Sequence, residues 1–530
     1  MKRSLLLLFT MALGRVASAA SCEELKLLTV PFTSVTSATL DTDENGRNHC
    51  RVLLTARPVT DSEIHIEMWL PVPGDWNRKF LGTGNGGYSS EISYGTMRTA
   101  LREGYAVAGS DTGHTGSDLK FAVGHPAKVD DWAYRAIHVI TESAKLMIRS
   151  FYGRFAQHSY FAGCSTGGQQ ALSEAQRYPT DYDGIVAGDP GNDRIHLNIG
   201  FLWSWRVLHR NAESALPALK LPLLYNTVMA ACDALDGVKD GVINDPRRCH
   251  FDPAALLCKG GDSTSCLTEP QVTAVREIYS GAYNPRTGER LFPGWVRGSE
   301  ALPDGIGSWA AYFVEKPEPT RLDFWRYWVF HDPNWSPFSF DFDHDVVYVD
   351  TKLTAMTALD PNLSKLKQAG GKLLLYQGWA DPVVPPEDTI GYFENVQRAM
   401  GGDAQTSSFV RLFLVPGMGH CMGGPGPNTF DGLRVLDRWV GEGIAPDQMI
   451  ASHWTNGVVD RTRPLCPYPQ VARWKGSGST DDAASFTCVV EPIPPSSLMR
   501  SSPKSDKTSQ IKQGMSFDNN KISCARSARG

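Results

Sequence analysis

Short apolar runs alternate along this chain with polar, glycine-rich stretches and with segments of helical composition. Tyr160, Phe161 and Ala162 form one such run, and Gln169 to Tyr178 beyond it has good helix formers and no proline. Lys372 to Tyr376 and Val410 to Val415 have the pattern of buried strands, and each leads into a loop. Phe80 and Leu81 precede the loop Gly82-Thr83-Gly84-Asn85-Gly86-Gly87, after an early strand. At the start, Lys2 and Arg3 come before an apolar run from Leu5 to Leu13, and Ala17-Ser18-Ala19 offers small residues for cleavage. That layout predicts a secretion signal over residues 1–19, with the protein extracellular, or periplasmic in a bacterium. The run is too short for a membrane anchor, and no later apolar stretch is expected to cross a bilayer.

Composition narrows the class. At 530 residues the chain exceeds what one core usually holds, so a catalytic domain carrying an inserted one is expected. Its 42% hydrophobic and 21% charged residues are those of a globular protein, and the net charge of −5 speaks against a nucleic-acid partner. Eleven cysteines in a secreted chain imply disulfides with one thiol left over. There is no repeat of fixed period, dinucleotide fingerprint, P-loop or zinc spacing, so no organic cofactor is expected.

The chemistry centres on Gly163-Cys164-Ser165-Thr166-Gly167, read as a nucleophile elbow. A serine hydroxyl attacks only when a base takes its proton, and a tight strand-to-helix turn presents it. That turn crowds the positions two before and two after the serine, where both residues are glycine. An acid and a histidine should follow in that order. Asp381 lies in the loop after the run at Lys372, and His420 in the glycine-rich loop after Val415. Each has a plainer reading, Asp381 as the start of a turn before Pro382 and His420 as an ordinary histidine. The neighbour Cys421 favours the catalytic reading. A bridge from Cys164 to Cys421 needs Cα atoms roughly 4.4–6.8 Å apart, which would hold Ser165 and His420 in one small volume. The oxyanion needs backbone donors. Thr166 supplies one, and Gly86, with little to separate it from Gly87, is favoured for the other.

These residues resemble the tannase and feruloyl esterase family, which includes the bacterial hydrolase of mono(2-hydroxyethyl) terephthalate. The motifs are Gly163 to Gly168, Asp183-Gly184-Ile185-Val186-Ala187-Gly188, Cys232 to Gly237, Val415 to Cys421 and Arg463 to Pro469, and the similarity runs from about Cys22 to about Cys488. The resemblance implies an α/β-hydrolase fold with a large inserted lid, a Ser-His-Asp triad beside a disulfide, and a calcium ion in the lid. The expected boundaries are 20–202 plus 345–495 for the catalytic domain, 203–344 for the lid and 496–530 for a disordered tail. With local spacing, the family suggests the pairs Cys22–Cys50, Cys164–Cys421, Cys232–Cys249, Cys258–Cys266 and Cys466–Cys488. Cys524 is then left in the tail.

Asp233, Asp236 and Asp240, interleaved with Gly237 and Gly241, suit a hard cation, although such a run is also a common solvated turn. The resemblance adds the carbonyls of Val238 and Val242 and makes the ion structural. The second half of the lid is dense in aromatics, Trp309, Phe313, Phe324, Trp325, Tyr327, Trp328, Phe330 and Trp335. They suit a planar acyl group or, for most of them, the lid's own core. Arg321 and Arg326 are candidates to meet a carboxylate or phenol. The expected activity is a secreted serine esterase on small aromatic-acid esters of the feruloyl type, free or attached to plant polysaccharide or polyphenol. Gallate esters and the terephthalate half-ester are the alternatives. Thr166 and Val384 both depart from the terephthalate enzyme's pattern and favour natural phenolic esters. A non-catalytic binding protein on a hydrolase scaffold is the alternative from another class, and it should lack a triad member or the oxyanion glycines.

Overall fold

A computed structural model describes residues 19–302 and 307–492. Residues 1–18 of the expected signal segment and the whole expected tail 496–530, with Cys524, lie outside the described residues. Nine strands form the main sheet: β1 (Thr33–Thr42), β2 (Asn48–Ala56), β3 (Ile64–Pro71), β4 (Lys79–Thr83), β5 (Ala106–Ser110), β6 (His158–Cys164), β7 (Gly184–Gly188), β8 (Lys372–Gly378) and β9 (Val410–Val415). Their order is β1-β2-β3-β5-β4-β6-β7-β8-β9. The first three are antiparallel, β3 meets β5 antiparallel, and every pair from β5 to β9 is parallel.

Parallel strands need both faces covered, and the apolar runs seen in the sequence are the consequence. All five residues of β7 are buried. Ile185 and Ala187 face one core, with Leu373 and Leu375, against helices Ala136–Tyr152, Thr166–Arg177 and Pro386–Ala399. Val186 and Leu374 face the opposite core, against helices Tyr94–Arg102 and Gly432–Glu442. The period of two along each strand thus sorts side chains into two layers around one sheet, the α/β-hydrolase arrangement.

The chain leaves the sheet after Gly188 and returns at Lys372, and the segment 203–344 expected as the lid lies within this excursion. It builds a third core in which Trp309, Phe313, Phe324, Trp325 and Trp328 are at most 3% exposed. Ring pairs such as Trp295 with Phe313, centroids 5.0 Å apart, and Trp325 with Phe340, 4.8 Å, hold it together. That core also takes in Ile195 to Phe201 and Val346, Val349 and Met356, on either side of the segment 203–344, and the helix Arg194–Leu208 runs through position 203. Tyr88, Trp132, Val383 and Val384 join it from the sheet domain, so the lid is seated over the strand ends that bear the candidate residues.

One segment differs from expectation. Ala212–Asp236 is long and apolar enough, at a mean hydropathy of 1.2 over an 18-residue window, to pass for a membrane span. Its continuous α-helix is only Leu221–Cys232, because Pro217 and Pro222 break the segment into short 3-10 turns before it. Twelve residues rise about 18 Å, well short of a bilayer core. Leu221, Leu224, Val228 and Cys232 on that helix are buried in the lid core.

Candidate active site

Ser165 sits between the end of β6 and the helix Thr166–Arg177, with φ 63° and ψ −116°. A non-glycine residue in this region is strained by about 1–3 kcal/mol and persists only where its surroundings fix it. The surroundings are glycines in contact. A Cβ on Gly163 would lie 2.6 Å from the carbonyl of Gly167, one on Gly84 2.5 Å from the Gly167 Cα, and one on Gly168 2.4 Å from the Gly188 oxygen. Backbone cannot yield as a side-chain tip does, so β6, the elbow helix and the early loop close up only around glycine. The Ser165 N–H donates to Gly188 O at 2.9 Å, and its carbonyl accepts from Gly191 N at 3.2 Å.

Asp381 lies three residues past β8 and is fully buried. Its Oδ1 accepts the N–H groups of Val383 at 2.7 Å and Val384 at 3.0 Å. Its Oδ2 accepts from Gln377 Nε2 at 3.0 Å and faces His420 Nδ1 at 2.8 Å. An ionised carboxylate only accepts, so Nδ1 carries the proton and Nε2 is left as the acceptor. The disulfide Cys164–Cys421, Cα atoms 6.0 Å apart, joins the residue before Ser165 to the residue after His420 across a sequence separation of 257. Ser165 and His420 line one cavity of about 410 Å³, together with Gly84 to Gly87, Val383 and the lid residues Tyr312 and Arg321.

Thr166, the first residue of the elbow helix, donates its hydroxyl to Gly87 O at 2.7 Å and accepts from Arg194 Nη2 at 2.7 Å. Arg194 also donates to Gln169 Oε1 at 2.9 Å, and its guanidinium lies over the Tyr88 and Trp132 rings. Burial lowers Arg194 to about 10, still cationic at neutral pH. This cluster ties the Gly86-Gly87 loop to the start of a helix whose first N–H groups have no partner within the helix. The other disulfides are Cys22–Cys50, Cys232–Cys249, Cys258–Cys266 and Cys466–Cys488.

A family model described as tannase and feruloyl esterase matches residues 50–489. The chain belongs to the tannase and feruloyl esterase family. An uncharacterized esterase of Xanthomonas campestris is 38% identical, over 91% of this chain and 93% of its own. A probable feruloyl esterase B-2 of Neosartorya fischeri is 32% identical, over 83% and 86%. The crystal structure of feruloyl esterase B from Aspergillus oryzae superposes with a TM-score of 0.81 at 30% identity, covering 88% of this chain and 99% of its own. This member of the family is a carboxylic ester hydrolase.

In this esterase the two arginines singled out in the lid have different surroundings. Arg326 is paired with Glu318 at 3.3 Å and Asp323 at 3.9 Å. Arg321 lines the cavity, and its guanidinium contacts Asn198 Oδ1 at 3.3 Å and the rings of Tyr88 and Phe201. None of the eight lid aromatics named from sequence lines that cavity. Tyr312, which does, was not singled out.

The acidic loop after Cys232 wraps on itself. Asp233 Oδ1 accepts the N–H groups of Asp240, Gly241 and Val242 at 3.0–3.3 Å. Asp236 Oδ1 accepts Val238 N at 3.0 Å, while Asp240 pairs with Arg463 at 2.5 Å. Asp236 is exposed at the surface, yet the packing around it and the charge of Asp240 push its carboxyl up to about 6. Asp233 is thus held by backbone N–H groups and Asp240 by Arg463, and the three carboxylates are not among the acidic groups whose oxygens the described residues bring within 4.8 Å of one another.

Proposed function

We propose that the protein is a secreted feruloyl-type serine esterase, with Ser165 as nucleophile, His420 as base and then acid, and Asp381 as the group that fixes the imidazole. The contact of Asp381 with His420 Nδ1, beside a disulfide that flanks both His420 and Ser165, carries this reading. Ser165 Oγ attacks the ester carbonyl while His420 Nε2 takes its proton. The same proton then goes to the departing alcohol, leaving an acyl-enzyme that water hydrolyses by the reverse relay. The N–H groups of Thr166 and Gly86 receive the oxyanion, a donor of this kind being worth about 2.7–4 kcal/mol.

A cavity of about 410 Å³ suits a small acyl group. Tyr312 and Arg321 on its lid side favour a planar ring bearing an oxygen substituent, and the names of the feruloyl esterase relatives support a hydroxycinnamate. The ester is free or attached to plant polysaccharide or polyphenol. Five disulfides agree with an oxidising compartment. Turnover on methyl ferulate, methyl gallate and mono(2-hydroxyethyl) terephthalate, with Ser165→Ala alongside, tests the reading. The expected outcome is the highest kcat/KM on methyl ferulate and an inert, folded Ser165→Ala protein. Retained turnover in that variant removes the mechanism, and a preference for gallate makes the enzyme a tannase.

Calcium held by Asp233, Asp236 and Asp240, with the carbonyls of Val238 and Val242, would brace the base of the lid and take no part in the ester chemistry. Chelation is then expected to lower Tm by a few degrees, restored by added calcium, with initial kcat unchanged below the transition. A Tm indifferent to chelator and to calcium would rule the ion out.

A further inference from the structure

Asp189 lies one residue past β7 and is fully buried. Its φ of 38° is in the left-handed region, where aspartate is tolerated better than most residues. From there its carboxyl reaches all three segments that carry the site. Oδ1 accepts the N–H of Gly378 at 2.7 Å, at the end of the strand that leads to Asp381. Oδ2 accepts the N–H of Cys421, the residue after His420, at 3.2 Å. The same oxygen lies 3.4 Å from the sulfur of Cys164, the residue before Ser165. One carboxyl oxygen of Asp189, one of Asp381 and a ring nitrogen of His420 are all within 4.8 Å of one another.

Two carboxyls this close and sealed from water do not both carry charge, because neither is solvated and each repels the other. Asp381 has the larger set of partners, two backbone N–H groups, Gln377 and His420. Burial and the charge of Asp381 push Asp189 far above the usual carboxylate range. The groups facing it are Asp381, His420 and the Tyr376 phenol, with Cys164 and Cys421 locked as a disulfide.

We propose that Asp189 is a positioning residue of the esterase, a second buried carboxyl that keeps its proton, ties the nucleophile, acid and histidine segments together, and leaves a single negative charge behind His420. It touches no substrate. The proposal rests on the Ser165, His420 and Asp381 reading.

The test compares Asp189→Asn and Asp189→Ala with wild type on methyl ferulate, with Ser165→Ala in parallel. A fluorophosphonate titrates the reactive serine, so that kcat is counted per competent site. Asparagine keeps the shape and charge of the protonated acid but accepts on one side only. Its kcat is expected to fall about 3–10-fold, and that of the alanine variant about 100-fold, with KM within about twofold in both. The acid limb of kcat/KM against pH is expected to stay in place in the asparagine variant. Wild-type kcat per titrated site in both variants would overturn the positioning role. A downward move of that limb by about one pH unit in Asp189→Asn would overturn the retained proton, since it would report a lost negative charge beside His420. Should the alanine variant not fold, the asparagine variant decides alone. Turnover surviving in Ser165→Ala would sink the triad reading, whereas an inert Ser165→Ala with unaffected Asp189 variants would sink only the role of Asp189.

Discussion

The elbow and the lid core are both densely packed, yet they are built on opposite principles. At the elbow, backbone meets backbone: Gly84 and Gly163 lie against Gly167, and Gly168 against the β7 terminus, at distances that leave no room for a methyl group on Gly84, Gly163 or Gly168. In the lid, large rings meet large rings, as in Trp295, Phe313, Trp325 and Phe340. The elbow specifies residue identity position by position, and the lid specifies only apolar volume. A defect in the first should therefore appear as lost chemistry, and a defect in the second as lost stability.

The sharpest way to break that contrast is Gly163→Ala. Its Cβ would meet three backbone atoms of Gly167 at 2.6–2.7 Å, so the helix must move and Ser165 with it. A loss of at least about 100-fold in kcat is expected even in protein that stays folded, since misplacement by about 1 Å costs that much. Near wild-type kcat would show that the elbow is not tightly determined.

Trp325→Ala is the counterpart in the lid. Trp325 is fully buried and borders no residue of the cavity lining by ring contact. The expected cost is about 3–5 kcal/mol in denaturant unfolding. Counted per titrated serine, kcat should remain within about twofold of wild type, and a much larger kcat loss would erase the distinction between the two regions.

The smallest effect concerns the polar seam within the lid's base. His196 N-H groups and ring bring together Asp193, Leu291 O at 2.9 Å and Asp350 at 3.0 Å. Burial alone would lower its pKa, but the charge of Asp193 and the hydrogen bond to Asp350 outweigh burial and raise it to about 10. A folded-state pKa above the unfolded value stabilises fully below about 6.5, and the contribution fades as pH climbs through about 10. His196→Gln is thus expected to lower Tm by about 2–4 °C at pH 6, with the gap closing towards pH 10. A gap that widens as pH rises would reverse the assignment.

The main sheet was legible because β6, β8 and β9 each contain a short apolar run, Tyr160 to Ala162, Leu373 to Tyr376 and Leu412 to Val415, as strands covered on both faces require. Ser165, Asp381 and His420 were legible as candidates for a related reason. Each follows such a run in a turn whose glycines or proline are local requirements of the backbone. No later stretch was expected to cross a bilayer, yet the composition of Ala212–Asp236 passes that test, and its division by Pro217 and Pro222 keeps the helix short.

Asp189 was missed by a single position, since the motif that drew attention to β7 stops at Gly188. No local pattern marks it, because its partners Gly378 and Cys421 lie about 190 and 230 positions away. Arg321 and Arg326 were equivalent on paper, and nearby acids in the fold separate them. What the sequence determined by itself is what backbone sterics and strand burial demand locally: the layered sheet and the turn that presents a serine. Tertiary structure alone decided which charges meet, which arginine is left to the cavity and which carboxyl keeps a proton, because desolvation and Coulomb energy depend on neighbours that chain order does not reveal.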